Sequence, residues 1–407
     1  MPTTRAHSLR KSAQTELNVL KLIQAHPSIS RVELAREARL STAAITGIVS
    51  SLNERGLLVE GGSPAVNVGR KRIGLSLRPE LGCVIGVDLG TFNLRVAVTD
   101  LNGRPRAIRQ VHAHMNVGRL EVLKRCFSVM RELLEEANVE ASSVLGVGVA
   151  FSGVIDVANG KVLSYPRLGL AEDWKNTPLQ TIIETEFGVP CVLEDSVRAV
   201  AITERTQGAG RDFTDFVYVD VGMGVGSAIF INGSLYRGCN GSAGEFGHIT
   251  VDEAGPLCCC GSYGCVEALA SGSRIIESVK LALEKGVSSK VLQLADDVPD
   301  NITLEMIAEA AEDRDSLSFR TLSEAATHIG AACADLVNLL NPEAIIFGGA
   351  LFRASPKLLL ENLSRLVRHR AMEKSANEVQ LLLASTKSDA GALGMARIIA
   401  SQAINNL

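Results

Sequence analysis

The chain contains 407 residues, of which 46% are apolar, 21% are charged and 4% are aromatic, and its net charge is −4. This composition excludes a disordered protein, which would have fewer apolar residues, and a small disulfide-rich scaffold, which would be shorter and richer in cysteine. The sequence predicts no membrane span and no secretion signal, because it lacks a run of about 18 apolar residues and begins with a polar, basic segment. We therefore expect a cytoplasmic protein of two or three domains.

The charge is distributed unevenly along the chain. Residues 1–78 carry 12 basic and five acidic side chains, a net charge of +7, whereas the rest of the chain carries 29 basic and 40 acidic ones, a net charge of −11. A small basic module joined to a large acidic body is typical of a nucleic-acid reader fused to another domain, although an uneven solvated surface gives the same count.

Three helical patterns occupy residues 14–55. The first ends before Pro27, the second begins at Ser30 with a capping box completed by Glu33, and the third carries an apolar stripe from residue 45 to 52. Two short helices joined by a tight turn predict a helix-turn-helix. The third helix presents short side chains that allow a close approach to a major groove, and its predicted DNA contacts are Ser41, Thr42, Ala44, Thr46 and Ser50.

Two apolar strand patterns at 57–59 and 73–77 flank a Gly- and Pro-rich tip, which predicts a wing and a DNA-binding domain over residues 1–80. Arg70, Lys71 and Arg72 lie at the tip, where they are expected to neutralise phosphates or enter a minor groove. The alternative is an exposed, solvated turn.

From about residue 83 the pattern changes to strands followed by helices. A predicted hairpin over 83–100 precedes a helix at 119–137 and a strand at 145–150, and the hairpin pattern repeats over 216–231. This duplication predicts two α/β lobes facing each other across a cleft. We place the body at 81–407, with a first lobe over about 81–205 plus the C-terminal helix and a second lobe over about 206–385.

A Gly-rich loop near the middle of the body contains a pattern of metal ligands. Cys258, Cys260 and Cys265 form Cys-x-Cys-x4-Cys, and His248 lies ten residues before the first of them. One imidazole and three thiolates predict a closed, structural zinc site, one per chain, because a catalytic zinc keeps a coordination position open. Cys259 is expected to point away, and the remaining cysteines are expected to be small core residues: Cys83, Cys126, Cys191, Cys239 and Cys333.

These residues resemble the ROK family of repressors and sugar kinases. The loop CCCGSYGCVE matches the family's CxCGxxGCxE, the segment GEFGH matches its AGExGH motif, and the likeness extends from about residue 81 to the C-terminus. The resemblance implies a two-lobed, actin-like (ribonuclease H-like) α/β body behind the winged helix-turn-helix. It also implies a homodimeric or homotetrameric transcriptional regulator, most simply a repressor, that binds operator DNA and responds to a sugar or sugar derivative.

The sequence departs from the kinases of this family at the positions that carry the chemistry. Phe92 stands in the first phosphate turn where the kinases have Thr, and Met223 stands in the second. Asp195 takes the place of an Asn, and Ser196 takes the place of the catalytic Asp. Since a serine without a partner base does not accept a proton at neutral pH, we predict no catalytic residue and no kinase activity. A register shifted by one residue, with Asp195 as the base, loses several neighbouring matches.

The resemblance further implies an effector site. The family's sugar-binding residues correspond here to Gly153, Asp195, Glu245, His248 and Glu267. The alternative is that these groups only hold the metal loop. Two other functions also stay open at this point: an active sugar kinase with a DNA-binding appendage, and a repressor controlled by a protein partner.

Overall fold

The computed structural model describes residues 3–62, 73–165 and 172–407, with side chains from residue 13 onward except that of residue 406. The chain divides into two compact units: unit 1 is Met1–Val200 with Lys387–Leu407, and unit 2 is Ala201–Thr386. Within the described ranges, no helix combines the length and the apolar character that a bilayer crossing requires.

The N-terminal part of unit 1 is a winged helix-turn-helix. Its elements are, in chain order, α1 (Thr3–Ala25), β1 (Ile29–Ser30), α2 (Arg31–Ala38), α3 (Thr42–Glu54), β2 (Leu58–Gly62) and β3 (Ile73–Leu77). The capping box is confirmed, because Ser30 Oγ accepts from the N–H of Glu33 and Glu33 Oε2 accepts from the N–H of Ser30. Two features differ from the sequence prediction. Helix α1 begins well before residue 14, and β1 adds a short third strand that pairs with β3.

The rest of unit 1 is built on one mixed sheet, whose strands lie in the order β10-β7-β4-β5-β6. Strands β4, β7 and β10 are parallel, and β4, β5 and β6 form an antiparallel meander. The elements are β4 (Cys83–Leu89), β5 (Asn93–Asp100), β6 (Pro105–His112), α4 (Arg119–Glu136), β7 (Val144–Phe151), β8 (Val154–Asp156), β9 (Lys161–Ser164), α5 (Leu179–Phe187), β10 (Cys191–Asp195) and α6 (Ser196–Gln207), which continues into unit 2.

The C-terminal helix α15 (Ala390–Ala403) returns to unit 1 and lies directly on this sheet. Gly86 on β4 and Gly148 on β7 make this possible, since an added Cβ would lie 1.9 Å from the carbonyl oxygen of Ala392 and 2.4 Å from that of Met395. The absence of two side chains therefore brings the helix backbone into contact with the strands.

The winged module and the body share one continuous core within unit 1. Buried side chains of α1, α3 and β3 belong to the same apolar cluster as Val84, Leu101 and the buried face of α15. The buried Asn102 side chain accepts from the N–H of Leu77 and donates to its carbonyl oxygen, both at 2.9 Å. Arg55, just after α3, donates to the carbonyl oxygen of Leu407 at 2.7 Å. The module is thus attached by packing and hydrogen bonds as well as by the chain.

Unit 2 repeats the sheet of unit 1. Its strands lie in the order β13-β12-β11-β14-β15, with an antiparallel meander of β11, β12 and β13 and parallel pairing of β11, β14 and β15. The strands are β11 (Phe216–Val221), β12 (Val225–Ile231), β13 (Ser234–Tyr236), β14 (Ala344–Gly348) and β15 (Gln380–Leu383). The helices are α7 (Val266–Ala270), α8 (Gly272–Glu284), α9 (Lys290–Leu294), α10 (Leu304–Glu312), α11 (Ser316–Leu340), α12 (Gly349–Ala354), α13 (Pro356–Arg370) and α14 (Glu373–Glu378).

Candidate functional site

Helix α3 presents the face expected of a recognition helix. Ile45, Val49 and Leu52 are fully buried, whereas the predicted contact residues Ser41, Thr42, Ala44, Thr46 and Ser50 are all exposed. The Ser41 hydroxyl accepts from the N–H of Ala44 at 3.2 Å and so caps the helix. The hydroxyl of Thr46 donates to the carbonyl oxygen of Thr42 at 2.8 Å. Part of this polar face therefore also stabilises the helix itself.

The wing provides two strands, β2 and β3, which pair antiparallel from Leu58 opposite Leu77 to Gly62 opposite Ile73. Arg70, Lys71 and Arg72 belong to the tip between these strands and lie outside the described residues. Their role at DNA stays a prediction. Arg36 and Arg39 are exposed near the turn between α2 and α3, and they are not among the predicted DNA contacts.

The parallel strands of unit 1 end together at one edge of the sheet. Leu89 at the end of β4 and Asp195 at the end of β10 both lie in register with Phe151 at the end of β7. Carboxyl ends of parallel strands are where open α/β sheets bind their ligands. The residues that follow, Ser152 and Ser196, are hydrogen-bonded through their side-chain oxygens at 2.8 Å. Ser196 was predicted from its motif, whereas Ser152 belongs to no motif and is brought to Ser196 only by the strand register.

Asp195 has a structural role in addition to any contact with a ligand. Its Oδ1 accepts from the N–H groups of Val197 at 2.9 Å and Arg198 at 3.1 Å, so it caps the first turn of α6. Burial raises the pKa of Asp195 to about 6, although the N–H and the positive charge of Arg198 act in the opposite direction. A neighbouring ion pair, Glu194 with Arg198 at 3.3 Å, is itself buried. Near neutral pH this carboxyl is therefore ionised, although burial makes its ionised form less stable than it would be in water.

Gly153, another predicted effector contact, lies in the same loop. A Cβ at this position would lie 2.7 Å from the ring of Phe151 and 2.9 Å from the carbonyl oxygen of Ser164. Packing inside unit 1 is enough to require glycine here.

The first phosphate turn differs from a nucleotide cradle in its side chains. Phe92 is 41% exposed at the turn between β4 and β5. The buried carboxylate of Asp88 on β4 accepts from Arg95 Nη1 at 3.1 Å, and Gln110 Oε1 accepts from Arg95 Nε at the same distance. A large apolar ring and a guanidinium–carboxylate pair therefore occupy this edge. No sequence motif indicates a role for Arg95, because its ion pair with Asp88 forms only when β4 pairs with β5.

The four predicted metal ligands come together in unit 2. The donor atoms of His248, Cys258, Cys260 and Cys265 all lie within 4.8 Å of one another. Cys258 Sγ lies 3.6 Å from Nδ1 of His248, and Cys260 Sγ lies 3.7 Å from Cys265 Sγ. His248 ends a short 3₁₀ turn (Phe246–His248), and Cys265 immediately precedes α7, so rigid elements position both ends of the set. This cluster can hold a metal ion.

The remaining predicted residues of unit 2 surround this cluster. Nε2 of His248 faces Glu245, whose Oε2 lies 4.0 Å away. Oε2 of Glu267 accepts from the N–H of Val225 at 2.8 Å, and its Oε1 lies 3.5 Å from the exposed Cys259 Sγ. Cys258, Cys259 and Glu267 also form a second group with donor atoms within 4.8 Å of one another.

The prediction for the other cysteines is wrong at one position. Cys83, Cys126, Cys191 and Cys333 are buried, but Cys239 is exposed. Cys239 follows β13 in a loop that turns at Gly238 and Gly241, both with positive φ, so no helix or strand carries its side chain into the core.

Comparison with known proteins agrees with this architecture. The model of the ROK family matches residues 84–402, and a model described as winged helix-turn-helix DNA-binding matches residues 13–59. The chain belongs to the ROK family. The predicted fold class, a winged helix-turn-helix followed by an actin-like α/β ROK body, is confirmed.

Full-length relatives of this ROK protein include regulators. It is 28% identical over 403 residues to a xylose repressor of Caldicellulosiruptor bescii, covering 98% of each chain. It is 29% identical over 356 residues to the DNA-binding transcriptional dual regulator NagC of Escherichia coli (strain K12), covering 87% of this chain and 84% of NagC.

The solved structures that resemble this chain also include members of the ROK family. A ROK family transcriptional regulator, described as a homologue of the E. coli MLC protein, superposes with a TM-score of 0.78 at 26% identity, covering 96% of this chain and 97% of the other. A ROK family glucokinase from Streptomyces griseus, solved with glucose and AMPPNP, superposes with a TM-score of 0.67 at 31% identity and covers 78% of this chain and 99% of the kinase. The N-terminal module thus distinguishes this ROK protein from the kinase.

Proposed function

We propose that this protein is a transcriptional repressor that binds operator DNA and is controlled by a sugar or sugar derivative. The observation that carries the proposal is the combination, in one chain, of a winged helix-turn-helix with an exposed recognition face and a ROK body, over nearly the full length of proteins named as sugar repressors. In this proposal residues 1–80 read DNA, and residues 81–407 bind the effector and a second copy of the chain. Two-fold symmetry of a homodimer, or of pairs within a tetramer, would make the operator palindromic.

We further propose that the body does not catalyse phosphoryl transfer. Ser196, at the position of the kinase base, shares a hydrogen bond with the Ser152 hydroxyl, and neither group is a base at neutral pH. The carboxylate of the preceding residue, Asp195, uses Oδ1 to cap α6. Phe92 in the first phosphate turn is incompatible with the close backbone approach that phosphates require.

The metal of the cluster is proposed to be one structural zinc ion per chain, held by His248, Cys258, Cys260 and Cys265. Tetrahedral zinc with Zn–S and Zn–N distances of about 2.3 and 2.0 Å separates two sulfurs by about 3.8 Å and a sulfur from a nitrogen by about 3.5 Å. The separations of 3.7 Å for the Cys260–Cys265 pair and 3.6 Å for the Cys258–His248 pair support this metal. Zinc bound at Nδ1 leaves Nε2 of His248 directed toward Glu245.

The effector contacts follow from this arrangement. Glu245, Nε2 of His248 and Glu267 offer acceptors and one ring nitrogen beside the metal loop, which suits the hydroxyls of a sugar. The contributions of Gly153 and Asp195 stay predictions from the family motif. Effector binding changes operator affinity only if the two ligands favour different states of the protein.

Three measurements on the purified protein test the proposal. Wild-type protein is expected to select duplex sequences from a random DNA pool and to be stabilised in thermal-shift assays by at least one sugar among hexoses, pentoses and amino sugars. That sugar is expected to change the affinity for the selected duplex. Robust ADP release with any of these sugars would refute the non-catalytic assignment. Stabilisation by none of them, with DNA released only by a protein fraction, would show control by a protein partner.

A further inference from the structure

Gly47 occupies the middle of α3, on the side turned away from the core. At about 100° per residue it lies roughly 160° from both Ile45 and Val49, the buried residues on either side of it. Its neighbours on the exposed face are also small, and residue 47 itself is exposed.

None of the residues that the structure describes requires glycine at this position. Gly47 has an ordinary helical backbone rather than a positive φ, and an added Cβ would meet no atom of those residues within 4 Å. Gly56, at the end of the same helix, also has open space around its Cβ but adopts a φ of +73°, which disfavours other residues. Glycine in a helix interior is less favourable than alanine. Position 47 therefore holds a residue that destabilises the helix, and no contact among the described residues compensates for this.

We propose that Gly47 is glycine because the floor of the DNA major groove approaches α3 at this point more closely than a side chain permits. The inference rests on the proposed DNA-binding function and names the position that sets how deeply the recognition helix enters the groove. A methyl group here would hold the helix away from the base edges. The flanking hydroxyls of Thr46 and Ser50 would then lose contact with the bases, since hydrogen bonds weaken steeply with distance and angle.

The substitution Gly47→Ala is expected to change the stability of the protein and its recognition of DNA in opposite directions. Because alanine favours the helix and its methyl group would meet no atom in the part of the chain that the structure describes, the variant is expected to be more stable, by about fivefold in the folding equilibrium. Its affinity for a duplex selected by the wild-type protein is expected to fall at least tenfold in fluorescence anisotropy at fixed salt. Binding to random duplex at low salt should change little, because that binding depends on phosphate charge.

Gly56→Ala is the matched control. Its glycine is required by backbone conformation, so the variant should melt at a lower temperature and keep wild-type affinity for the selected duplex while folded.

Three other outcomes would refute either the close approach of DNA to Gly47 or the proposed function itself. Equal affinity of Gly47→Ala and wild type for the selected duplex would refute the close approach while leaving DNA binding intact. Failure of the wild-type protein to select any duplex would instead refute the proposed function. A change in the sedimenting mass of Gly47→Ala without DNA would assign this face to a second copy of the chain and overturn the proposal.

Discussion

Replacing Asp195 with Asn removes a carboxyl whose ionisation is opposed by the fold of unit 1. Burial raises the pKa of this carboxyl from 3.8 to about 6, and each pKa unit corresponds to 1.36 kcal/mol. The folded state is therefore destabilised by up to about 3 kcal/mol when the carboxyl ionises. The Asn side chain keeps an oxygen that can accept from the N–H groups of Val197 and Arg198, so the helix cap survives.

The sign of the pH dependence follows from which state binds the proton more tightly. Well below pH 4 both the folded and the unfolded chain hold the proton on Asp195, and the group contributes nothing to pH dependence. Between about pH 4 and pH 6 the unfolded chain has lost the proton and the folded chain has kept it, so the free energy of unfolding falls as pH rises. Well above pH 6 Asp195 is ionised in both states, and it no longer changes the free energy of unfolding as pH rises. Asp195→Asn is thus expected to match wild type near pH 4 and to exceed it by up to about 3 kcal/mol at pH 7.

Urea unfolding followed by tryptophan fluorescence measures the free energy of unfolding of unit 1, the unit that contains Asp195. Trp174 is the only tryptophan of the chain, and it is fully buried in unit 1. Ser196→Ala, in the same turn but without a titrating group, serves as control and should differ from wild type by a constant amount at every pH. A difference between Asp195→Asn and wild type that is the same at pH 4 and pH 7 would refute the argument.

Three further predictions concern the DNA-binding module and the metal. Asn102→Ala leaves the buried N–H and carbonyl oxygen of Leu77 without their side-chain partner, and it should lower the free energy of unfolding of unit 1 by about 2–4 kcal/mol; an unchanged urea midpoint would contradict this. Joint replacement of Arg70 and Lys71 with Ala should weaken operator binding and flatten its salt dependence by about one to two units of slope, whereas an unchanged slope would place both side chains away from DNA. Metal analysis should find about one zinc per chain in wild type and a loss of zinc and thermal stability in Cys260→Ser, and full retention of both would refute the ligand set.

Local patterns were enough to predict much of the fold. The Ser30–Glu33 capping box, the 119–137 helix and the repeated hairpins each depend on residues close in sequence, and the structure contains all of them. The metal cluster was predictable for a different reason, because three of its four ligands lie in one short loop with a characteristic spacing.

Features that depend on strand register were not predictable in the same way. The hydrogen bond between Ser152 and Ser196 joins residues 44 positions apart, and the Arg95–Asp88 pair requires β4 and β5 to align. The role of Asp195 as a helix cap likewise depends on the position at which α6 begins. The exposure of Cys239 was missed because a cysteine in a sequence carries no sign of whether its loop enters the core.

The shared core of unit 1 has a consequence for the order in which the protein is made. The winged module is synthesised well before part of the apolar surface that covers it, which includes Ile399, Ala403 and Ile404. The carbonyl oxygen that accepts from Arg55 belongs to Leu407. Without residues 399–407, part of the module's apolar core would be exposed to water. The DNA-binding module therefore reaches its full packing only after a segment 352 residues beyond Arg55 has been synthesised.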